Sequence, residues 1–422
     1  MKNQKLILIT AFIFCFSLII IRVINVPLFN SGKARDSIHG DAYSDINTYS
    51  ALQYFYDFGF TKSCFLPMHG YQNDSTKAGD AYVYTHYPAL PDILAGVYAK
   101  LLNTKNDQWI RIFPVMLSIA FFFFIFHFFK TILPDKKAAF IGALMVVLSN
   151  YFIFWADNLH KHLYEEFLKW LYVYFLFLYY KDEQKNKLLI ALCGFLFILA
   201  TNVSFEPVTY IAVVTVGMSW VYSKKIFCWE NFFLGAMPII GFAIHFYQNI
   251  LYFGSIDIAI ADMTSAATMR TVGNASAHNE LKRNLVFTDY LSIPLVWLQR
   301  IERFFLIPGP AFFLFTYLGL KEIKKTDRKL FGLGIVLLIA TISWNFAMTQ
   351  HSLVHSFTTR HLGIFFGFVV GYGLLKYFDI LKTDWKESIL YKKIIHVIFI
   401  SYIVIMLASQ QLWDYVRYGW FY

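Results

Sequence analysis

Asp41 and Asp45 stand four residues apart in the stretch RDSIHGDAYSDINTYSALQYFYDFGF, residues 35–60. On one helix they share a face, and with Asp41 ahead of the helix they still lie close together. A carboxylate so placed can take a proton from an acceptor hydroxyl. Two close carboxylates can also hold a divalent cation against a phosphate. The competing use is an N-cap, a common role for Asp at a helix start. A second ionisable cluster reads Trp155-Ala156-Asp157-Asn158-Leu159-His160-Lys161-His162-Leu163-Tyr164-Glu165-Glu166. Asp157, His160 and His162 are donors that a metal ion could use, although their spacing is not diagnostic. Cations recur further on. Arg300 and Arg303 in Trp297-Leu298-Gln299-Arg300-Ile301-Glu302-Arg303 have helical spacing and share a face, and Arg360 is the one Arg between residues 350 and 361. The planar fork of Arg suits a phosphate. Anchoring at lipid headgroups is the alternative for these residues.

The elements that must position these groups follow from composition. The chain has 422 residues, 58% hydrophobic, 20% aromatic and 15% charged. Its 46 Phe and 28 Tyr exceed what one aqueous core could hide. Average soluble domains are about 45–50% apolar and about 25% charged. A soluble globular protein, a disordered chain and a disulfide scaffold are excluded. An all-α polytopic membrane protein is expected. A span needs about 20 mostly apolar residues. Eleven such stretches occur, near 6–26, 110–130, 138–156, 163–180, 187–203, 206–222, 231–252, 304–320, 330–349, 362–379 and 394–411.

The net charge of +10 is read as topology rather than nucleic-acid binding. With the N-terminus inside, the inner loops hold Lys2 and Lys5, Lys130 to Lys137, Lys181 to Lys187, Lys224 and Lys225, Lys321 to Lys329, and Lys382 to Lys393. The opposite short loops carry only Lys161 and Arg360. That asymmetry predicts a cytoplasmic N-terminus and an outer C-terminus. Two long loops, about 27–109 and about 253–303, then lie outside. Inner loops are short, and no Gly-rich phosphate loop with its lysine occurs, so the chemistry is expected on the outer face. Of the four cysteines only Cys64 is expected outside, which leaves no outer disulfide within the chain.

In the first loop, Ala51, Leu52, Phe55 and Phe58 have helical spacing and Gly59 suits the stop. The prolines of Tyr84-Thr85-His86-Tyr87-Pro88-Ala89-Leu90-Pro91 precede a short helix at about 92–102.

Asp45, Tyr49 and Gly59, followed by His86-Tyr87-Pro88-Ala89-Leu90, resemble the motifs of the GT-C class of membrane glycosyltransferases. The nearest members are the protein O-mannosyltransferases and the lipid A aminoarabinose transferases. The resemblance implies a single GT-C type transmembrane domain over 1–422, a polyprenyl-phosphate sugar as donor, and an essential acidic residue in the first outer loop. It places His86 and Tyr49 on the acceptor side of the loop. The family's Asp-Glu pair is here Asp45-Ile46 with Asp41 upstream, so either aspartate could be the base. The second proline of Pro-Pro is Ala89. His160 with Leu163-Tyr164-Glu165 looks like a diverged form of the element at the top of span four, which would turn Glu165 toward the first-loop Asp. The loop holding Arg360 resembles the last active-site segment by topology.

The expected function is therefore transfer of a sugar from a polyprenyl phosphate to a hydroxyl on a protein, lipid or cell-envelope glycan. It would occur at the plasma (inner) membrane with the site facing the periplasm or exterior. A divalent cation is the one cofactor considered, and no nucleic acid is expected. An O-antigen-type polymerase or ligase would concentrate its Arg in a late loop. A transporter or flippase would carry midplane charges and internal repeats.

Overall fold

The computed structural model describes residues 2–25, 42–71, 81–271, 285–387 and 390–418. The chain opens with helix α1 (Lys2–Asn25). The first loop then contributes α2 (Ala42–Phe58), a two-stranded antiparallel ribbon of β1 (Met68–His69) and β2 (Tyr82–Val83), and α3 (Leu90–Leu102). Next come α4 (Asp107–Ile132), α5 (Lys136–Val147), α6 (Asn150–Ile153), α7 (Lys161–Lys181), α8 (Lys187–Val203), α9 (Glu206–Ser223) and α10 (Trp229–Phe253). The second loop forms α11 (Ile256–Thr271) and α12 (Phe287–Phe305). Helices α13 (Gly309–Thr326), α14 (Arg328–Ala347) and the short α15 (Thr349–Val354) follow. A tight helical run over Ser356–Leu362 leads through α16 (Gly363–Phe365) and one π-helical turn into α17 (Gly371–Lys386), and α18 (Leu390–Tyr418) ends the bundle.

Local chemistry accounts for many of these boundaries. Helix α2 stops where expected, with Gly59 at φ +82° and its N–H bonded to the Phe55 carbonyl. Side-chain oxygens of Asn106, Asp135, Asn186 and Asp327 cap α4, α5, α8 and α14. Glycines govern the closest packing. A Cβ on Gly373 would collide with the Phe315 backbone, and one on Gly319 with the Val369 carbonyl, so α13 and α17 approach through bare backbone.

Six helices are long and apolar enough to cross a membrane, or seven if α12 and α13, bent by 84°, count as one span. The six coincide with the expected stretches 6–26, 110–130, 231–252, 330–349, 362–379 and 394–411. The other five do not meet that measure as single helices, although α7, α8 and α9 match the expected stretches 163–180, 187–203 and 206–222 to within two residues. The stretch 138–156 breaks into α5 and α6 at Leu148-Ser149. Helix α8 has 17 residues. Helix α7 buries Lys161, Glu165, Glu166 and Lys169 in its first turns, and α9 opens with buried Glu206. The stretch 304–320 begins at the bend, where Leu306 adopts φ +53° ahead of Pro308. Apolar side chains face outward on α1, α10 and α18, including Ile13, Phe232, Ile239, Ile398 and Ile405. An apolar exterior around buried ionic groups fits a bundle whose solvent is lipid.

Candidate active site

The first loop is fastened to the bundle through Asp45. This residue lies in the first turn of α2 and is fully buried. Its Oδ1 accepts from the Asn158 amide at 2.7 Å and from the backbone N–H groups of Leu159 and His160, both at 2.9 Å. One turn on, the Thr48 hydroxyl meets His160 Nδ1 at 2.8 Å. Tyr49 packs with Leu52, Ala95, Ala99, Ile110 and Leu159, and its hydroxyl donates to the Lys105 carbonyl. The carboxyl of Asp92, at the start of α3, is buried in the same junction. Burial pushes it up to about 7, against a smaller opposing effect of its bond to Thr48. Asp41 lies outside the described residues.

Asp157 serves a neighbouring joint. Its carboxylate pairs with Arg22 from α1 and with Arg111 from α4, whose Nε donates at 3.1 Å. His160 is turned to Thr48, whereas His162 packs between the rings of Trp155 and Phe357. These three candidate ligands are not gathered around one point.

Behind this loop, α7, α9 and the Ser356–Leu362 run enclose an ionic cluster. Lys161 pairs with Glu206. Arg360 Nη2 lies 3.7 Å from Glu165 and 3.8 Å from Glu206, while its Nε and Nη1 donate to the carbonyls of Phe357 and His162 at 2.9 Å. Its guanidinium covers the Trp155 ring. Lys169 donates to Glu166 at 2.5 Å and to His361 Nδ1 at 3.1 Å, and the Tyr151 hydroxyl donates to Glu166 at 2.6 Å. All six charged residues are buried. Three carboxylates face three cations, so the cluster is balanced in charge, as a low-dielectric interior requires. Hydrogen bonding is less complete. Both Glu165 oxygens, Glu206 Oε2, Arg360 Nη2 and His361 Nε2 lack a hydrogen-bond partner among the described residues.

Glu165, Glu206 and His361 present ligand atoms within 4.8 Å of one another, the set nearest to a metal site among the described residues. Its chemistry fits an ion poorly. The Lys169 ammonium donates to His361 Nδ1, so a neutral imidazole carries its hydrogen on Nε2, the atom facing Glu165 at 4.0 Å. Arg360 already supplies the cation between the two carboxylates.

The mouth of the cluster is built by the two long loops. Thr85 Oγ1 donates to Asp262 of α11 at 2.6 Å, and His86 Nε2 meets the other oxygen of Asp262 at 3.1 Å. From α10, His245 and Asn249 hold the Thr85 carbonyl at 2.9 and 3.1 Å. Tyr87 is thereby set over the cluster. Its hydroxyl lies 3.0 Å from His351 Nε2, and the Lys161 ammonium is 4.1 Å from its ring centre. Arg270 of α11 also lies over that ring, at 4.8 Å, and donates to the half-buried Tyr84 hydroxyl at 3.2 Å.

Of the arginines singled out by sequence, Arg360 joins the cluster. Arg300 donates to the carbonyls of Ser352 and Leu353 at 2.6 and 2.7 Å and so closes the end of α15. Arg303 is half-buried beside Phe304. The sequence reading missed Glu206, Lys169 and Asp262 as parts of a site, and did not select Arg270 or His361 from the loops that carry them. A usable signal existed for Glu206, an acid placed at the start of an otherwise apolar stretch.

Comparison with solved structures identifies the architecture. The chain is similar to the crystal structure of the Archaeoglobus fulgidus oligosaccharyltransferase in the apo form, with a TM-score of 0.54 and 12% identity over 99% of this chain and 56% of that chain. It is similar to the archaeal oligosaccharyltransferase AglB from the same organism in complex with an inhibitory peptide and a dolichol-phosphate, at 0.51 and 13% over 99% and 56%. A third, the Archaeoglobus fulgidus enzyme in complex with Zn and sulfate, gives 0.50 and 14% over 98% and 53%. No protein-family profile and no curated protein matches the chain. The chain spans just over half the length of these structures. What they share with it is the fold.

Proposed function

We propose that this chain transfers a sugar from a polyprenyl-phosphate donor to an acceptor hydroxyl at the outer face of the plasma (inner) membrane. The observation that carries the reading is the surroundings of Tyr87, whose ring has Lys161 of the buried cluster at 4.1 Å and the half-buried Arg270 at 4.8 Å. In this reading the lipid enters between helices and its phosphate meets Arg270 and Lys161. The acceptor hydroxyl gives its proton to a first-loop carboxylate, Asp45 or Asp41, and attacks the anomeric carbon. The bond from that carbon to the phosphate oxygen breaks, the configuration inverts, and the phosphate leaves with its charge held by the cations. Arg360 sits one layer deeper and keeps Glu165 and Glu206 in place. The topology that goes with this is eleven spans, N-terminus inside, with both long loops outside.

The fold neighbours solved with a dolichol-phosphate and with an acceptor peptide support a polyprenyl-phosphate lipid and keep a peptide among the acceptors, beside lipid and glycan. The test is donor turnover by the full chain in nanodiscs. Arg270→Gln removes a charge-assisted bond to phosphate worth about 1.5–3 kcal/mol, so the donor KM should rise about 10- to 150-fold with folding preserved. An unchanged KM would remove Arg270 from the donor site. Turnover of a diphosphate-linked donor alone would turn the assignment toward a polymerase or ligase.

A further inference from the structure

At the opposite end of the chain, α17 and α18 form a hairpin with a groove of about 570 Å³ between them. Phe378, Leu381, Val397 and Ile400 make its apolar walls, and Lys382 and Lys386 line it as well. On α17 the lining positions 378, 381, 382, 385 and 386 fall on one helical stripe. The groove is therefore polarised along its length. Its apolar end lies at Phe378 and Ile400, and its cationic end lies toward the turn of the hairpin. From position 378 to 386 the helix rises about 12 Å, enough for much of an acyl chain.

The cationic end is marked by charge as well as position. Lys392 is taken by Asp384 at 3.0 Å and Glu387 at 2.8 Å, and Asp384 also meets His396 at 3.0 Å. The nearby carboxylates are thus occupied, and among the described residues neither Lys382 nor Lys386 has an acidic partner. Trp385 lies in the groove lining under the Lys393 ammonium, 5.5 Å from its ring centre, the pairing of indole and cation usual at a membrane interface. Outside the groove, residues 390–409 of α18 are scarcely covered by protein.

We propose that this groove binds an anionic phospholipid, its acyl chain along Phe378, Val397 and Ile400 and its phosphate between Lys382 and Lys386. Such a site would fit the inner leaflet, where the lysine pattern places the hairpin. It does not depend on the glycosyl-transfer reading.

Native mass spectrometry of the full chain tests it, with phosphatidylglycerol and phosphatidylcholine of the same acyl chains as probes. The wild type should hold phosphatidylglycerol at least about tenfold more tightly. The double variant Lys382→Gln, Lys386→Gln should lose most of that preference, while Lys321→Gln, Lys324→Gln, on another inner loop, should keep it. Ile400→Trp fills the apolar end and should lower the occupancy of both lipids. All the lysines involved are exposed, so a monodisperse variant with an unchanged melting midpoint reports on binding. Equal binding of the two lipids by the wild type, or a preference untouched by the lysine pair, would overturn the proposal.

Discussion

Asp45 is where a structural and a catalytic role can be separated by measurement. Its Oδ1 accepts three N–H groups from residues 158–160, two of them backbone. In Asp45→Ala all three donors lose their acceptor inside a buried junction. A buried unsatisfied donor costs about 1–3 kcal/mol; the Asn158 amide can rotate toward another acceptor, whereas the two backbone N–H groups cannot. The expected loss is therefore about 2–6 kcal/mol, up to a large share of ordinary domain stability. Asp45→Asn is different. The amide oxygen can accept the same bonds without the charge, so the loss should be about 1–2 kcal/mol. Activity divides the roles further. A general base contributes about 10²–10⁴-fold, so Asp45→Asn should lose that factor while still folding. A residue that only fastens the loop should lose activity in proportion to stability and recover it on cooling. The assay pairs thermal unfolding in nanodiscs with initial rates of sugar transfer across temperature. If Asp45→Ala unfolds within about 0.5 kcal/mol of the wild type, the three-bond anchor described above is wrong. If the Asp41→Asn, Asp45→Asn double variant keeps full activity, the proposed base is wrong too.

Other outcomes follow from the same geometry. Asp92 is raised from 3.8 to about 7 by burial, so the folded state holds its proton more firmly than the unfolded chain. Stability from this group is full below about pH 4 and falls as pH rises through about 7, by about 4 kcal/mol at most. Asp92→Asn should abolish that slope in melting curves between pH 4 and pH 8, and a variant that keeps it would show that another group titrates. Arg300→Met should cost about 1.5–3 kcal/mol by uncapping α15, with donor KM unchanged. A higher KM at unchanged stability would make Arg300 a phosphate contact instead.

What the sequence disclosed was local. The stop of α2 at Gly59 and the helix expected at 92–102, observed from Leu90, depend on residues a few positions apart. The cluster depends on long-range pairs. Lys161 finds Glu206 across 45 positions and His361 finds Lys169 across 192. A hydropathy profile also cannot tell a helix in lipid from one wrapped by other helices. That is why α7 looked like an ordinary span although its first two turns are ionic. Arg300 shows the limit from the other side. Its type and helical spacing suggested a phosphate, yet its donors are spent on two carbonyls about 50 residues away.

The charge count then bears on where a phosphate can go. Glu165, Glu166 and Glu206 already balance Lys161, Lys169 and Arg360 in a buried space. A phosphate driven into that space would add uncompensated negative charge, at several kcal/mol of desolvation. At the mouth the balance differs. Arg270 is only half-buried, and Lys161 reaches the Tyr87 ring from the edge of the cluster. An arriving anion there gains Arg270, a cation outside the balanced set, beside a Lys161 already paired with Glu206. The cluster beneath is then best understood as the support that holds Lys161 and Tyr87 at that edge. Neutralising Glu206 should act through Lys161, shifting donor affinity rather than the chemical step. Glu206→Gln that lowers kcat with an unaltered donor KM would contradict this division between mouth and core.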